Sequence, residues 1–338
     1  NNNILINAGN PRVTKQKGRQ TRYEQVCGLF SHELGHVLYT DFLTWQSYHA
    51  FQDAGKWFPE TPPLRNTTER MAEAELWEYQ QADPINKDIL ARISHDVLNI
   101  LEDGYIENRM YMDYPGILGS SLRAVRTREY ENVPTLEELI EQEEEGGHIW
   151  LSFRSALLSY MLWGELRYGG TPLLDERVQM VFSLLSELDT ALVSRDFKDR
   201  CRTANLILIR CWSYIKDFIE VCKERAAQEL YSGTGSGDVE GLLGQILASL
   251  AGGSEAATGS TAPVDGGGSA SPGSGGGSAT GVQRAATAAL AASSGDDEEK
   301  DEEQEKEVSA AGAGGSEDPE PKEDAGAAGA AGSLGDKD

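Results

Sequence analysis

No run of eighteen apolar residues occurs in the 338-residue chain, so no transmembrane helix is expected. Cysteine is scarce, at four residues, and none stands in a C-x-x-C pair. Cys201, Cys211 and Cys222 fall among apolar residues of one late helical region, with Cys27 alone. That is the pattern of buried free thiols in a reducing compartment, and a cytoplasmic location is expected. No signal peptide is visible, although the chain begins at Asn1 without Met, which allows a processed start. Basic residues are also short: 30 Lys and Arg stand against 55 Asp and Glu, a formal charge of -25. Neutralising phosphates needs surplus cations, so general nucleic-acid binding is excluded. The one local exception is PRVTKQKGRQTR, Pro11 to Arg22, with five basic residues. It reads as a solvated loop ahead of a helix more readily than as a docking strip for an acidic partner.

Large apolar side chains are missing from the last third. From Ser232 the chain is mostly Gly, Ala, Ser and acids, with 20 acidic and 5 basic residues, so -15 of the charge lies there. Such a segment cannot bury enough apolar surface to offset its ordering entropy, and 232–338 is expected to be a disordered acidic linker or tail. Within it, Val239, Leu242, Leu243, Ile246, Leu247 and Leu250 form one helical stripe that could dock on the body or on a partner helix. The body, by contrast, holds all six Trp and is long enough for a large core.

That body reads as mainly α. NNILIN, Asn2 to Asn7, is the clearest strand candidate, bounded by Gly9 and Pro11. Thr21 can cap a helix through Tyr39, and Phe42, Trp45, Tyr48 and Phe51 mark a second. Thr68 to Gln81 reads as a polar helix. Pro84 opens a long one to about Tyr111, with Ile89, Ile93, Val97, Ile100, Leu101 and Gly104 as its apolar stripe. Thr135 and Glu138 make a capping box. HIWLSFRSALLSYMLWGEL, LLDERVQMVFSLLSELDTALV and Arg195 to Tyr231 predict three further helices. The expected organisation is a metal-binding core over 1–130, a helical extension over 131–231 and the tail.

The core assignment rests on His32-Glu33-Leu34-Gly35-His36. Residues four apart share a helix face, so His32 and His36 can aim ring nitrogens at one ion. Glu33 is rotated about 100° from His32 and sits beside the ion, where a general base for a metal-activated water must stand. Gly35 costs helix stability but permits close approach of another chain segment. Phe30, Leu34, Val37 and Leu38 flank the motif, and two histidines buried together without an ion would be costly. A catalytic zinc needs a third protein ligand and one open position. Position 42 is Phe, so the metzincin spacing fails. The third ligand is then sought in NILEDGYIE, Asn99 to Glu107, where a helical wheel gives two polar rows. His95, Asn99 and Glu102 form one; Asp96, Asp103 and Glu107 form the other, and the wheel does not choose between them. Some of these acids are expected to be solvated. A purely structural zinc would favour a fourth protein ligand, often Cys, and Cys27 lies five residues from His32 in a poor direction.

LFSHELGHVLYTDF together with LNILEDGYIENRM, preceded by ILINAGNPRV, resembles the metallopeptidase-like domains of bacterial VWA-associated proteins, the cobaltochelatase-T/CoxE-like group. The resemblance covers about the first 110 residues. It implies a gluzincin-type, zincin-like fold with zinc held by His32, His36 and Glu102, Glu33 as general base, and Asp103 and Glu107 supporting. Asp103, Glu107 and His95 remain alternative ligands. The implied activity is zinc-dependent hydrolysis of peptide bonds in a peptide or protein substrate. The alternative is a non-proteolytic metal-binding adaptor beside a MoxR-type AAA+ ATPase or a VWA-domain partner. Two departures stand out. The group often has Arg where this chain has Tyr105, and no D-x-S-x-S motif of a VWA domain occurs, although the acidic tail looks like the linker preceding one. An oxyanion stabiliser could come from Tyr105, Tyr111, His95 or His148, and an extended substrate could pair with the strand at Ile4 to Ile6.

Overall fold

A computed structural model of the chain describes residues 4–231 apart from Leu5, Ala8 and Thr171, and all regular structure among them is helical. In chain order the helices are α1 (Pro11–Thr14), α2 (Arg19–Tyr39), α3 (Phe42–Asp53), α4 (Thr67–Ala82), α5 (Pro84–Asp113) and α6 (Ile117–Tyr130). They continue as α7 (Leu136–Glu144), α8 (Ile149–Trp163), α9 (Glu176–Phe182), α10 (Leu185–Val193), α11 (Phe197–Arg210) and α12 (Trp212–Tyr231).

Local chemistry sets many of the starts. Asp41 accepts from the Thr44 amide at 3.0 Å to open α3, and Asn66 from Glu69 at 2.8 Å to open α4. Asp83 caps α5 through the Ile85 amide at 2.9 Å, with Pro84 in the first turn, where its missing N–H costs nothing. Both halves of the Thr135/Glu138 capping box are present at α7. Gly18, at φ +87°, takes the N-cap position of α2, three residues ahead of the expected Thr21.

Helix α5 is the axis of the molecule. Its 30 residues span about 45 Å, and α2, α3, α4, α6, α8, α10, α11 and α12 all pack on it. Every residue from Val97 to Glu107 is buried, so this stretch is enclosed all round. One hydrophobic cluster runs from Trp45 on α3 through Ile89, Leu98 and Leu101 on α5 to Phe153 on α8, Ile207 on α11 and Ile219 on α12. It therefore draws on residues from both sides of position 130. Two glycines set the spacing around α5. A Cβ on Gly35 of α2 would lie 3.2 Å from Met110 and 3.3 Å from Ile106, and one on Gly104 would lie 2.9 Å from the Met161 carbonyl oxygen of α8.

Several expectations need correction. LLDERVQMVFSLLSELDTALV is two helices, α9 and α10, interrupted at Ser183 and Leu184. Arg195 to Tyr231 is likewise α11 and α12, parted at Cys211. In both cases the two segments bury a face in the same core, so the apolar pattern runs through a change of axis. Pro11–Thr14 is a short helix, where a loop was expected. Helix α6 was not anticipated: its apolar face is only Leu122 and Val125 with small residues, and it buries the charged Arg126. The strand expected over Asn2–Asn7 lies partly outside the described residues, and Ile4, Ile6 and Asn7 form none. The tail from 232 onward, with its Val239–Leu250 stripe, lies outside them altogether. Among the described residues no helix is long and apolar enough to cross a membrane, and all four cysteines are unpaired, three of them buried.

Candidate metal centre

The site forms where α2 crosses the enclosed stretch of α5. His32 and His36 stand one turn apart, their rings 5.0 Å between centroids and nearly perpendicular at 85°. Asp103 projects from α5 between them. Its Oδ1 lies 3.2 Å from His36 Nε2 and 3.7 Å from His32 Nε2. His32 and Asp103 are buried, and the His36 side chain keeps 15% of its surface exposed, which makes it the solvent-facing member.

Each ring is held from behind through Nδ1. His32 Nδ1 meets Glu107 Oε1 at 2.8 Å, and His36 Nδ1 meets Thr40 Oγ1 at 3.0 Å. The supports are themselves anchored by buried arginines. Arg126 of α6 donates through Nε to both Glu107 oxygens, at 3.0 and 2.9 Å. Thr40 donates to Glu102 Oε1 at 2.7 Å, and the other Glu102 oxygen forms an ion pair with Arg200 of α11. The Arg200 guanidinium also lies 3.8 Å from the centre of the Tyr105 ring. The Tyr105 face thus carries an arginine from another helix.

Charges follow from this wiring. Burial raises the Glu107 pKa, but the Arg126 charge and the hydrogen bond from His32 hold it down to about 2. Burial of Glu102 wins over its partners Arg200 and Thr40, and its pKa is raised. Burial opposes charging His36, yet the nearby Asp103, Glu102 and Glu33 carboxylates outweigh it and raise its pKa.

The residues present fit a divalent ion on three counts. His32 Nε2 and Asp103 Oδ1 are buried with no hydrogen-bond partner among the described residues, an arrangement that costs about 1–3 kcal/mol per group unless something satisfies them. Asp103 is the one carboxylate of Glu102, Asp103 and Glu107 with no arginine or lysine ion pair. Ligands about 2.0–2.1 Å from a tetrahedral zinc lie about 3.3 Å from one another, and the observed 3.2 and 3.7 Å bracket that edge. The three candidate ligand atoms all lie within 4.8 Å of one another.

No family model, no curated protein and no solved structure matches this chain. The assignment of residues therefore rests on their positions. His32 and His36 come together as the spacing predicts. Glu102, implied by the resemblance as third ligand, is turned away to Thr40 and Arg200, and Asp103 stands in the cluster. Glu107 supports His32. His95 is engaged elsewhere, with Nδ1 3.1 Å from His49 Nε2. Of the acids in the two polar rows, Glu102, Asp103 and Glu107 are buried, and Asp96 is half-buried and paired with Arg154. Glu33 is half-buried next to His32. Of the oxyanion candidates, Tyr105 lies under Arg200, Tyr111 donates to Glu107 at 3.4 Å, and His148 caps α8 by accepting from the Trp150 amide at 3.1 Å. Sequence reasoning missed Arg126, Arg200 and Thr40. Thr40 alone left a signal, four residues after His36 on the same face.

Proposed function

We propose that the protein is a zinc-dependent metallopeptidase-like hydrolase whose metal is held by His32, His36 and Asp103. The observation that carries the reading is the convergence of two buried ligand atoms that have no hydrogen-bond partner among the described residues with a third, His36 Nε2, 3.2 Å from Asp103 Oδ1. Two nitrogens and one oxygen suit zinc, and three protein ligands are the number used by catalytic sites. Bound zinc would supply Lewis-acid polarisation of a substrate carbonyl. The protein's own part is proton traffic and orientation. Glu33, next to His32 and free of any ion pair among the described residues, is the carboxylate able to accept a proton from the attacking water and return it to the leaving amine. Glu107 and Thr40 fix the rings so that both Nε2 atoms face one point.

A second reading, a non-proteolytic metal-binding adaptor serving an AAA+ ATPase, is favoured by the burial. Asp103 and His32 are buried, and the His36 side chain keeps 15% of its surface exposed. Val37 and Leu43, 63% and 77% exposed on either side of Thr40, suit protein contact. One experiment separates the two. Metal content is measured on wild type and His36→Ala, followed by cleavage of an unstructured protein by wild type and Glu33→Gln. One zinc per chain, lost in His36→Ala, with cleavage abolished by Glu33→Gln supports the peptidase. One zinc without cleavage leaves the adaptor. If no transition metal binds, both readings fall.

A further inference from the structure

Of the three acids on the enclosed stretch of α5, two are tied at both oxygens. Glu107 accepts from Arg126 on both, and Glu102 meets Thr40 with one oxygen and Arg200 with the other. Asp103 differs. Its Oδ1 stands 3.2 and 3.7 Å from the two histidine Nε2 atoms, and its Oδ2 accepts from the Asn99 side-chain amide at 3.3 Å. Asn99 is buried and lies one turn before Asp103 on the same helix. The helical wheel sets it in the row of His95 and Glu102, but the four-residue spacing puts it on the face of Asp103.

A carboxylate can present one oxygen or both to a cation. Here Oδ2 is bound to Asn99, and Oδ1 alone stands among the histidine nitrogens, buried and without a hydrogen-bond partner among the described residues. The donor is also neutral. A lysine or arginine at that place would orient the carboxylate but would offset the charge a cation draws on, as Arg200 does for Glu102 and Arg126 for Glu107. An amide orients without neutralising, because it donates hydrogen bonds and carries no charge.

We infer that Asn99 is a positioning residue that restricts Asp103 to a single oxygen toward the metal. The inference rests on the metal-site reading and deepens it. Two histidine nitrogens and one carboxylate oxygen make three ligand atoms, and the fourth tetrahedral position is left for water. With Oδ2 released, the same carboxylate would compete for that position. Asn99 thus decides whether the centre stays open, and it does so without touching metal or substrate.

The test uses Asn99→Leu and Asn99→Gln in the full chain. Leucine has nearly the shape of asparagine and no donor. Glutamine keeps the amide, and a glutamine four residues before an aspartate still reaches it on a helix. Zinc affinity is read by competition with a chromophoric chelator. Coordination number is read from the visible spectrum of the cobalt(II)-loaded protein, whose bands are strong for four-coordinate cobalt and weak for higher coordination. Wild type is expected to show the strong bands. Asn99→Leu should bind zinc about 10–100-fold more weakly, the usual effect of losing such a support. Its cobalt bands should weaken as the second oxygen of Asp103 joins the ion. Asn99→Gln should recover both affinity and spectrum. Strong four-coordinate bands in Asn99→Leu would overturn the inference whatever the affinity, because poorer packing alone does not add a ligand atom. So would an Asn99→Gln protein with the spectrum of Asn99→Leu. If wild type binds neither zinc nor cobalt, the functional reading fails and the inference with it; if wild type binds both and Asn99→Leu matches it, the inference alone fails.

Discussion

Replacing Arg200 by Met removes the one positive charge paired with Glu102 and keeps most of the side-chain volume. Both residues are completely buried, so Glu102 would be left as an uncompensated carboxylate. Breaking a buried pair from one side typically costs about 3–5 kcal/mol. The same change orphans the Ser194 carbonyl, which Arg200 serves at 2.8 Å, and removes a guanidinium from the Tyr105 face. Those losses add about 1–2 kcal/mol, and protonation of Glu102, already favoured by burial, returns part of the total. A net loss of about 3–5 kcal/mol is expected in urea unfolding. The double variant Arg200→Met/Glu102→Leu should recover most of it, since an apolar pair of similar volume is often neutral or better. As a control, Arg92→Ala breaks an exposed pair with Asp88 on α5 and should cost about 0.5 kcal/mol or less. If Arg200→Met costs under about 1 kcal/mol, or the double variant is no better than the single, the account of this pair is wrong.

Asp103→Asn should abolish stoichiometric zinc in metal analysis while Glu33→Gln retains it, because only the first removes a ligand; equal zinc in both would refute the assignment. Gly104→Ala should lower stability by about 1–3 kcal/mol in denaturant unfolding, since its methyl meets the Met161 backbone at 2.9 Å. His49 is held down to about 4 by burial and then by the His95 charge, and burial lowers His95 as well. Below the ordinary histidine value the unfolded chain then binds protons that the folded one refuses. Stability should fall as pH drops from about 6.5 toward 4, with a shallower slope in His49→Gln; an unchanged slope would exclude His49 as the cause.

The helical character was legible because the 3.6-residue pattern is clear where a helix buries a single face, as α3 does with Trp45, Tyr48 and Gln52. It was least informative on α5, where burial on every side erases the contrast between faces. A wheel drawn over Asn99 to Glu107 offers two polar rows for the same reason, and solvent cannot be used to reject either. The histidine pair was legible since both members lie on one helix. The third member depended on how α5 is rotated against α2, and that rotation is fixed by partners distant in sequence. Arg200, 98 positions after Glu102, pulls that acid to its own side and leaves Asp103 facing the histidines. Nothing in the local sequence of α11 marks its arginine for that task.

Gly35 lets α2 close on α5, and Gly104 lets α5 close on α8. The gap between the histidines and Asp103 is therefore gauged by two side chains that consist of a hydrogen atom. A methyl on either would press α5 toward or away from α2 and alter the bore of the cage. Ions of one charge differ in radius by tenths of an ångström, so if the proposed site holds one, the choice among them would be decided at two positions that never touch it.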